Sequence, residues 1–392
     1  MHIVAVIAGF AFIGIILVDA FETIILPRRV TRRLRLTRYF ILSAWRMWLG
    51  VAKFIRRDDP LEGADRRDRF FAVFGPLALL LLLAVWAIGL VLGYTLLHWG
   101  FGDQLQIAAG KASFGEILYM SGTTFFTLGL GDVTPVTTTA RFLTVAETAT
   151  GFSFLALTIG YLPVIYNGFA TREVNVTLLD ARAGSPPSAA ELLRRFGPDE
   201  PEACENFLRE WERWAADVLE SHLSYPVLAF FRSQHENQSW LSALTVVLDA
   251  CALIIVGIVD QEQYLISVRQ ARITFAMARH AVGDMSQVLS VPPVYDGTDR
   301  LPPDRLVELR QFLAKSHMPL REGDLVDEQL VKIRRLYEPY VAAIGQSLMF
   351  PLPPWMPLKG AVDDWQTTAW QQEPQDAIDA LGPYPLKPRV RG

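Results

Sequence analysis

Three stretches of the chain stay apolar for long enough to cross a bilayer. Ile3 to Ile25 is a 23-residue segment, about 34 Å as a helix. Phe70 to Trp99 is the second, built on the run Leu77-Ala78-Leu79-Leu80-Leu81-Leu82-Leu83, with Pro76 in its first turn, where a missing N–H is harmless. The third begins near Thr138 and runs to about Tyr166. A further apolar run, Leu241 to Val259, carries Asp249 at its centre between polar flanks and reads as the buried central helix of a bundle. Tyr39 to Ile55 is apolar and aromatic but broken by Arg46 and Lys53, which predicts an amphipathic helix lying in the interface; a further crossing is the alternative.

Between the second and third crossings the pattern changes. Ser113-Phe114-Gly115-Glu116 has the Ser-x-x-Glu form of a capping box and predicts a helix from Phe114 to about Phe125. Twelve residues make about 18 Å, which dips into a bilayer without crossing it. Thr123-Thr124-Phe125-Phe126-Thr127-Leu128-Gly129-Leu130-Gly131-Asp132-Val133-Thr134-Pro135 follows. Two glycines one residue apart allow conformations that let successive carbonyls point the same way, and a ring of inward carbonyls replaces a cation's water.

Thr124, Thr127, Gly129, Gly131 and Asp132, set between two spanning helices, resemble the filter of the pore-loop potassium channel family, and the resemblance covers about residues 70 to 170. It implies that the backbone of Thr127, Leu128, Gly129, Leu130 and Gly131 forms the ion path, with the Thr127 hydroxyl as a further ligand. Leu128 and Leu130 stand where the family usually has Val and Tyr, and a Leu cannot donate the hydrogen bond that Tyr makes behind the filter. Asp132 is either a carboxylate at the outer mouth or a hydrogen-bonding group behind the filter. Thr148, Phe152, Leu155 and Ile159 share one face of the inner helix and are expected to line a cavity below. Gly151 matches the family's hinge position or allows close packing, and Pro163 either bends the helix near a gate or ends it. Thr123 and Thr124 are expected to support the filter, as is Glu147, an acid in an apolar helix with Thr123 or Tyr119 as its expected partner. One such loop cannot encircle an ion, so the resemblance implies a homotetramer.

Charge sets the orientation. Residues 27 to 69 hold twelve Arg and one Lys against five acids, which puts this loop in the cytoplasm and the N-terminus outside. Asp19 and Glu22 then face the interface or these arginines. No spanning helix has a regular Arg repeat, so voltage sensing of the familiar kind is not expected. Residues 166 to 392 carry 22 basic against 30 acidic residues, which argues against nucleic acid as a partner. Capping and periodicity predict helices at Ser188 to Phe196, Pro201 to Ser221, Ser239 to Arg279 either whole or broken, Pro303 to Ser316 and Asp324 to Gln346. No phosphate-binding loop, dinucleotide motif or nucleophile elbow occurs. His222, His235, His280 and His317 have no ligand spacing, and Cys204 and Cys251 form no metal or disulfide pattern.

The expectation is an all-α protein that is not an enzyme and needs no cofactor. Its parts are an N-terminal transmembrane helix (1–26), a basic segment with an interfacial helix (27–69), a pore domain (70–168) of outer helix, re-entrant pore helix, filter and inner helix, a linker (169–187), a cytoplasmic helical domain (188–350) and a Pro/Trp-rich tail (351–392). Its partners are the bilayer, potassium or other monovalent cations, copies of itself and a cytoplasmic regulator of unidentified kind. A nonselective cation channel and a non-conducting membrane scaffold are the alternatives.

Overall fold

A computed structural model of the chain describes residues 2–26, 36–54, 67–102, 105–106, 112–197, 201–233, 238–257, 265–295, 299–358 and 360. Most of the basic loop and the tail beyond 360 lie outside the described residues. Helices dominate: α1 (His2–Ala20), α2 (Leu36–Ala52), α3 (Phe74–Phe101), α4 (Phe114–Phe125), α5 (Thr138–Ala183), α6 (Ala189–Phe196), α7 (Pro201–Ser224), α8 (Trp240–Gly257), α9 (Leu265–Leu289), α10 (Pro303–Lys315), α11 (Asp324–Arg334) and α12 (Glu338–Leu348). Among the described residues the only sheet pairs β1 (Leu105–Gln106) antiparallel with β2 (Thr134–Pro135), tying the segment before α4 to the one after the glycine-rich loop. Contacts divide the chain into two units, Met1–Phe169 with Ser221–Arg232, and Ala170–Glu220 with Ser233–Gly392.

In the first unit α1 and α3 pack along glycines. A Cβ on Gly9 would stand 2.8 Å from the Gly93 carbonyl, and one on Gly89 2.2 Å from Ile16. Bare backbone lets the two helices approach closely, which is how helices gain dispersion energy in lipid, where no hydrophobic effect drives them together. α1 then passes into a π-helical turn, Phe21–Ile25. Beside it Asp19, buried at 4 % exposure, accepts the Thr37 backbone N–H at 3.1 Å and the Trp86 indole N–H at 3.0 Å. Among the described residues Asp19 thus turns to α2 and α3 rather than to the interface, and the arginines at 28–35 lie outside the described residues. It satisfies a first-turn amide of α2 that has no partner within its own helix. α2 lies against the protein through Trp45, which meets Phe74 at 4.8 Å and Phe230 at 5.3 Å.

α5 is longer than its sequence suggests. It passes Pro163 unbroken and continues to Ala183, so residues 169–183 of the expected linker are helical. Pro163 removes one backbone donor, and the next strong stop is Gly184, at φ 84°, followed by Pro186 and Pro187. Residues 221–232, expected in the C-terminal domain, pack in the first unit: Phe231 covers Gly75 and sits 5.6 Å from Phe169, and Arg232 pairs with Asp68.

The second unit is built on α8, which is buried along nearly its whole length although it is apolar enough to cross a membrane. Its Asp249 pairs with Arg300 at 2.6 Å and accepts from the Tyr337 hydroxyl. The stretch 239–279 takes the broken form, as α8 and α9, and the single helix expected at 324–346 is two, α11 and α12, parted just before Pro339.

Candidate functional site

The capping box at the start of α4 closes in both directions. The Ser113 amide donates to Glu116 Oε2 at 2.6 Å, and the Glu116 amide to Ser113 Oγ at 3.3 Å. At the other end the chain folds back on the helix. Thr127 N–H donates to the Thr124 carbonyl at 3.0 Å, and the amides of Leu128 and Gly129 both donate to the Thr123 carbonyl, at 2.7 and 3.3 Å. In a trans peptide the N–H and C=O point in opposite directions, so the carbonyls of Phe126, Thr127 and Leu128 face away from the helix. Backbone angles carry the pattern on: Thr127, Gly129 and Gly131 have φ of 59°, 55° and 80°, while Leu128 and Leu130 between them do not. Such alternation sets successive amides on one side and carbonyls on the other. The result is a short strand of outward oxygens below the negative end of a helix dipole, an arrangement that suits a cation.

Asp132 is held from behind. Its carboxylate accepts from the Val133 amide at 3.1 Å and from the Tyr119 hydroxyl of α4. It remains exposed, so both readings of this residue fit its position. The side chains of Leu128 and Leu130 are 64 % and 65 % exposed and find no cover in their own chain.

Residues 79–165 match the family model described as Ion channel. This stretch is similar to an ion-channel domain. It is also 25 % identical over 236 residues to YdjJ, an uncharacterized membrane protein of Bacillus subtilis (strain 168); the match covers 57 % of this chain and 62 % of that one, so the chain spans about three-fifths of that relative's length. No solved structure matches. With its several long apolar helices the chain is a multi-pass membrane protein.

In the pore domain the inner helix α5 meets the pore helix α4 at Gly151. A Cβ there would lie 2.0 Å from the Phe125 carbonyl oxygen, so glycine is the residue that the contact admits, and α5 is unbroken at this point. Thr148, Phe152, Leu155 and Ile159 are all exposed along one side of α5, with the Thr148 hydroxyl turned back to the Thr144 carbonyl at 2.9 Å. Thr124 is buried, and Thr123 donates its hydroxyl to the Met120 carbonyl at 3.0 Å while its own carbonyl holds the amides of Leu128 and Gly129.

Glu147 has other partners than those expected. Neither Thr123 nor Tyr119 meets it, because their hydroxyls go to Met120 and Asp132. Its carboxylate lies 3.6 Å from His98 Nε2 on the outer helix α3, and the Ser121 hydroxyl of α4 faces it. Glu147, His98 and Ser121 are each 0 % exposed. The sequence singles out Glu147 as an acid in an apolar helix, but no local pattern ties His98 or Ser121 to it. Nor did the motif point to Phe126, whose carbonyl joins the outward row.

Proposed function

We propose that four copies of the chain surround one axis and conduct potassium through a filter lined by the carbonyls of Thr127, Leu128, Gly129 and Leu130, with the Thr127 hydroxyl at its inner end. The observation that carries this reading is the filter strand, whose amides are spent on the pore helix so that its carbonyls are left for an ion. Carbonyls replace hydration, and several weak sites in a row let ions leave as readily as they enter. The exposed face of Thr148, Phe152, Leu155 and Ile159 becomes the wall of the cavity below. Gly151 locks the inner helix to the pore helix, and Pro163, which lacks one helix hydrogen bond, is the point of bending at a gate. Asp132 rings the outer mouth. The basic segment lies in the cytoplasm with the second unit, which assembles or gates the pore.

One observation favours a second reading. Leu130 has no hydroxyl with which to brace the filter wall, and a looser filter passes sodium as well. Potassium and sodium flux through the purified full-length chain in liposomes, with Gly129→Asp as control, decides between them. Potassium-selective flux that disappears in the variant supports the proposal; equal flux of both ions supports the nonselective channel; no flux under any condition sinks both.

A further inference from the structure

The pore helix and the inner helix touch on two levels, one helical turn apart on each. Phe125 rests against Gly151, and one turn back along both helices stand Ser121 and Glu147. The outer helix closes this second level from behind. It brings His98 to 3.6 Å from Glu147 and, one turn earlier, the Tyr94 hydroxyl to 2.7 Å from Thr150 Oγ1 and 3.3 Å from the Ala146 carbonyl. Among the described residues, the titratable groups beside Glu147 are thus His98 and Tyr94.

A carboxylate inside an apolar helix bundle is costly and is kept only where partners hold it. Here its partners come one from each of two further helices. Among the described residues the Glu147 oxygens and the Ser121 hydroxyl close no hydrogen bond, so close approach inside the helix packing is what brings the three side chains together. Two residues beyond Ser121 is Thr123, whose carbonyl anchors the amides of Leu128 and Gly129. A shift of the pore helix at Ser121 therefore reaches the filter backbone directly.

We propose that His98, Glu147 and Ser121 form a buried polar clamp across the outer, inner and pore helices, in which His98 and Glu147 are positioning residues that set the filter's ion selectivity. This rests on the conduction reading above.

The test uses full-length protein carrying Glu147→Gln, His98→Gln or both, reconstituted in liposomes of phosphatidylcholine and phosphatidylglycerol, with potassium-to-sodium flux ratios and melting temperatures measured on the same samples. Each single variant is expected to lower the ratio about five- to tenfold, and the pair to lower it no further than the worse single, because residues in contact do not add. Ser121→Ala, the mildest change, should move the ratio the same way and serves if Glu147→Gln does not assemble. Unchanged ratios, or losses that multiply in the double variant, overturn the clamp, as does a fall in melting temperature without any change of ratio. If wild-type liposomes carry no ion, the conduction reading has failed and the clamp is judged by melting temperature alone. A double variant that loses less than the sum of the singles upholds it as a three-helix link, and additive losses reject it.

Discussion

Thr127 is β-branched and sits at φ 59°, in the left-handed region that a side chain of this shape ordinarily avoids. Such a conformation costs about 1–2 kcal/mol and persists where the surroundings over-determine it, here through the amide bonds back to Thr123 and Thr124. Thr127→Gly should therefore leave the melting temperature of the purified protein unchanged or raise it, while the loss of the hydroxyl lowers potassium flux; a fall in both would show that Thr127 is a packing residue. Gly151 is the converse case, since its neighbour is a backbone oxygen that cannot step aside. Gly151→Ala should cost about 1–3 kcal/mol or more by overpacking, read as a lowered melting temperature. A variant as stable as the wild type would mean that α4 and α5 part easily at this point.

At the scale of elements, the seam between α1 and α3 depends on residues without side chains. A Cβ on Gly93 would meet Ile13 at 2.7 Å and the Gly9 carbonyl at 3.3 Å. Gly93→Leu should separate the two helices, and a cysteine pair placed across the seam should cross-link in the parent protein but not in this variant. In the second unit, α6 starts at Ser188, which accepts the Glu191 amide, but the capping box stays half-formed because the Glu191 carboxylate turns to Arg194 and Arg195 instead. Burial alone would raise the pKa of Glu191, and the two guanidiniums outweigh it and hold the group below its ordinary 4.5. A depressed carboxylate pKa adds stability above the unfolded value, and that stability is lost as the pH falls through the folded one. The melting temperature of the wild type should thus drop more steeply than that of Glu191→Gln on acidification below about pH 4.5. Parallel curves would leave Glu191 without this role.

At the scale of the whole molecule, the proposed pore needs more than one chain. Leu128, Leu130, Phe152 and Ile159 are each more than half exposed, and the filter strand offers its carbonyls to one side only. In detergent the protein should elute and cross-link as four copies of the 44.0 kDa chain; a stable monomer or dimer would contradict the proposed axis. The second unit has its own core, in which Asp249 on α8 meets Arg300. Arg300→Met should destabilise it by about 3–5 kcal/mol by leaving a buried carboxylate unpaired, and Asp249→Leu in the same chain should restore much of the loss.

Much of the first unit was legible because its signals are local. The start of α4 rests on Ser113 and Glu116, three residues apart, the loop that follows α4 on glycines at alternate positions, and each long apolar helix on an unbroken apolar run. These features depend on the chain's own neighbours, and the sequence alone determined them. The run of α5 beyond Tyr166 was not legible, because whether a proline such as Pro163 bends a helix, ends it or is passed over depends on what packs around it. Tertiary structure alone decided the pairings across distance: Asp19 with Trp86, 67 residues away, Glu147 with His98, Gly151 with Phe125, and residues 221–232 with the first unit. A buried polar group must find a partner, but its own position does not say which helix will bring one.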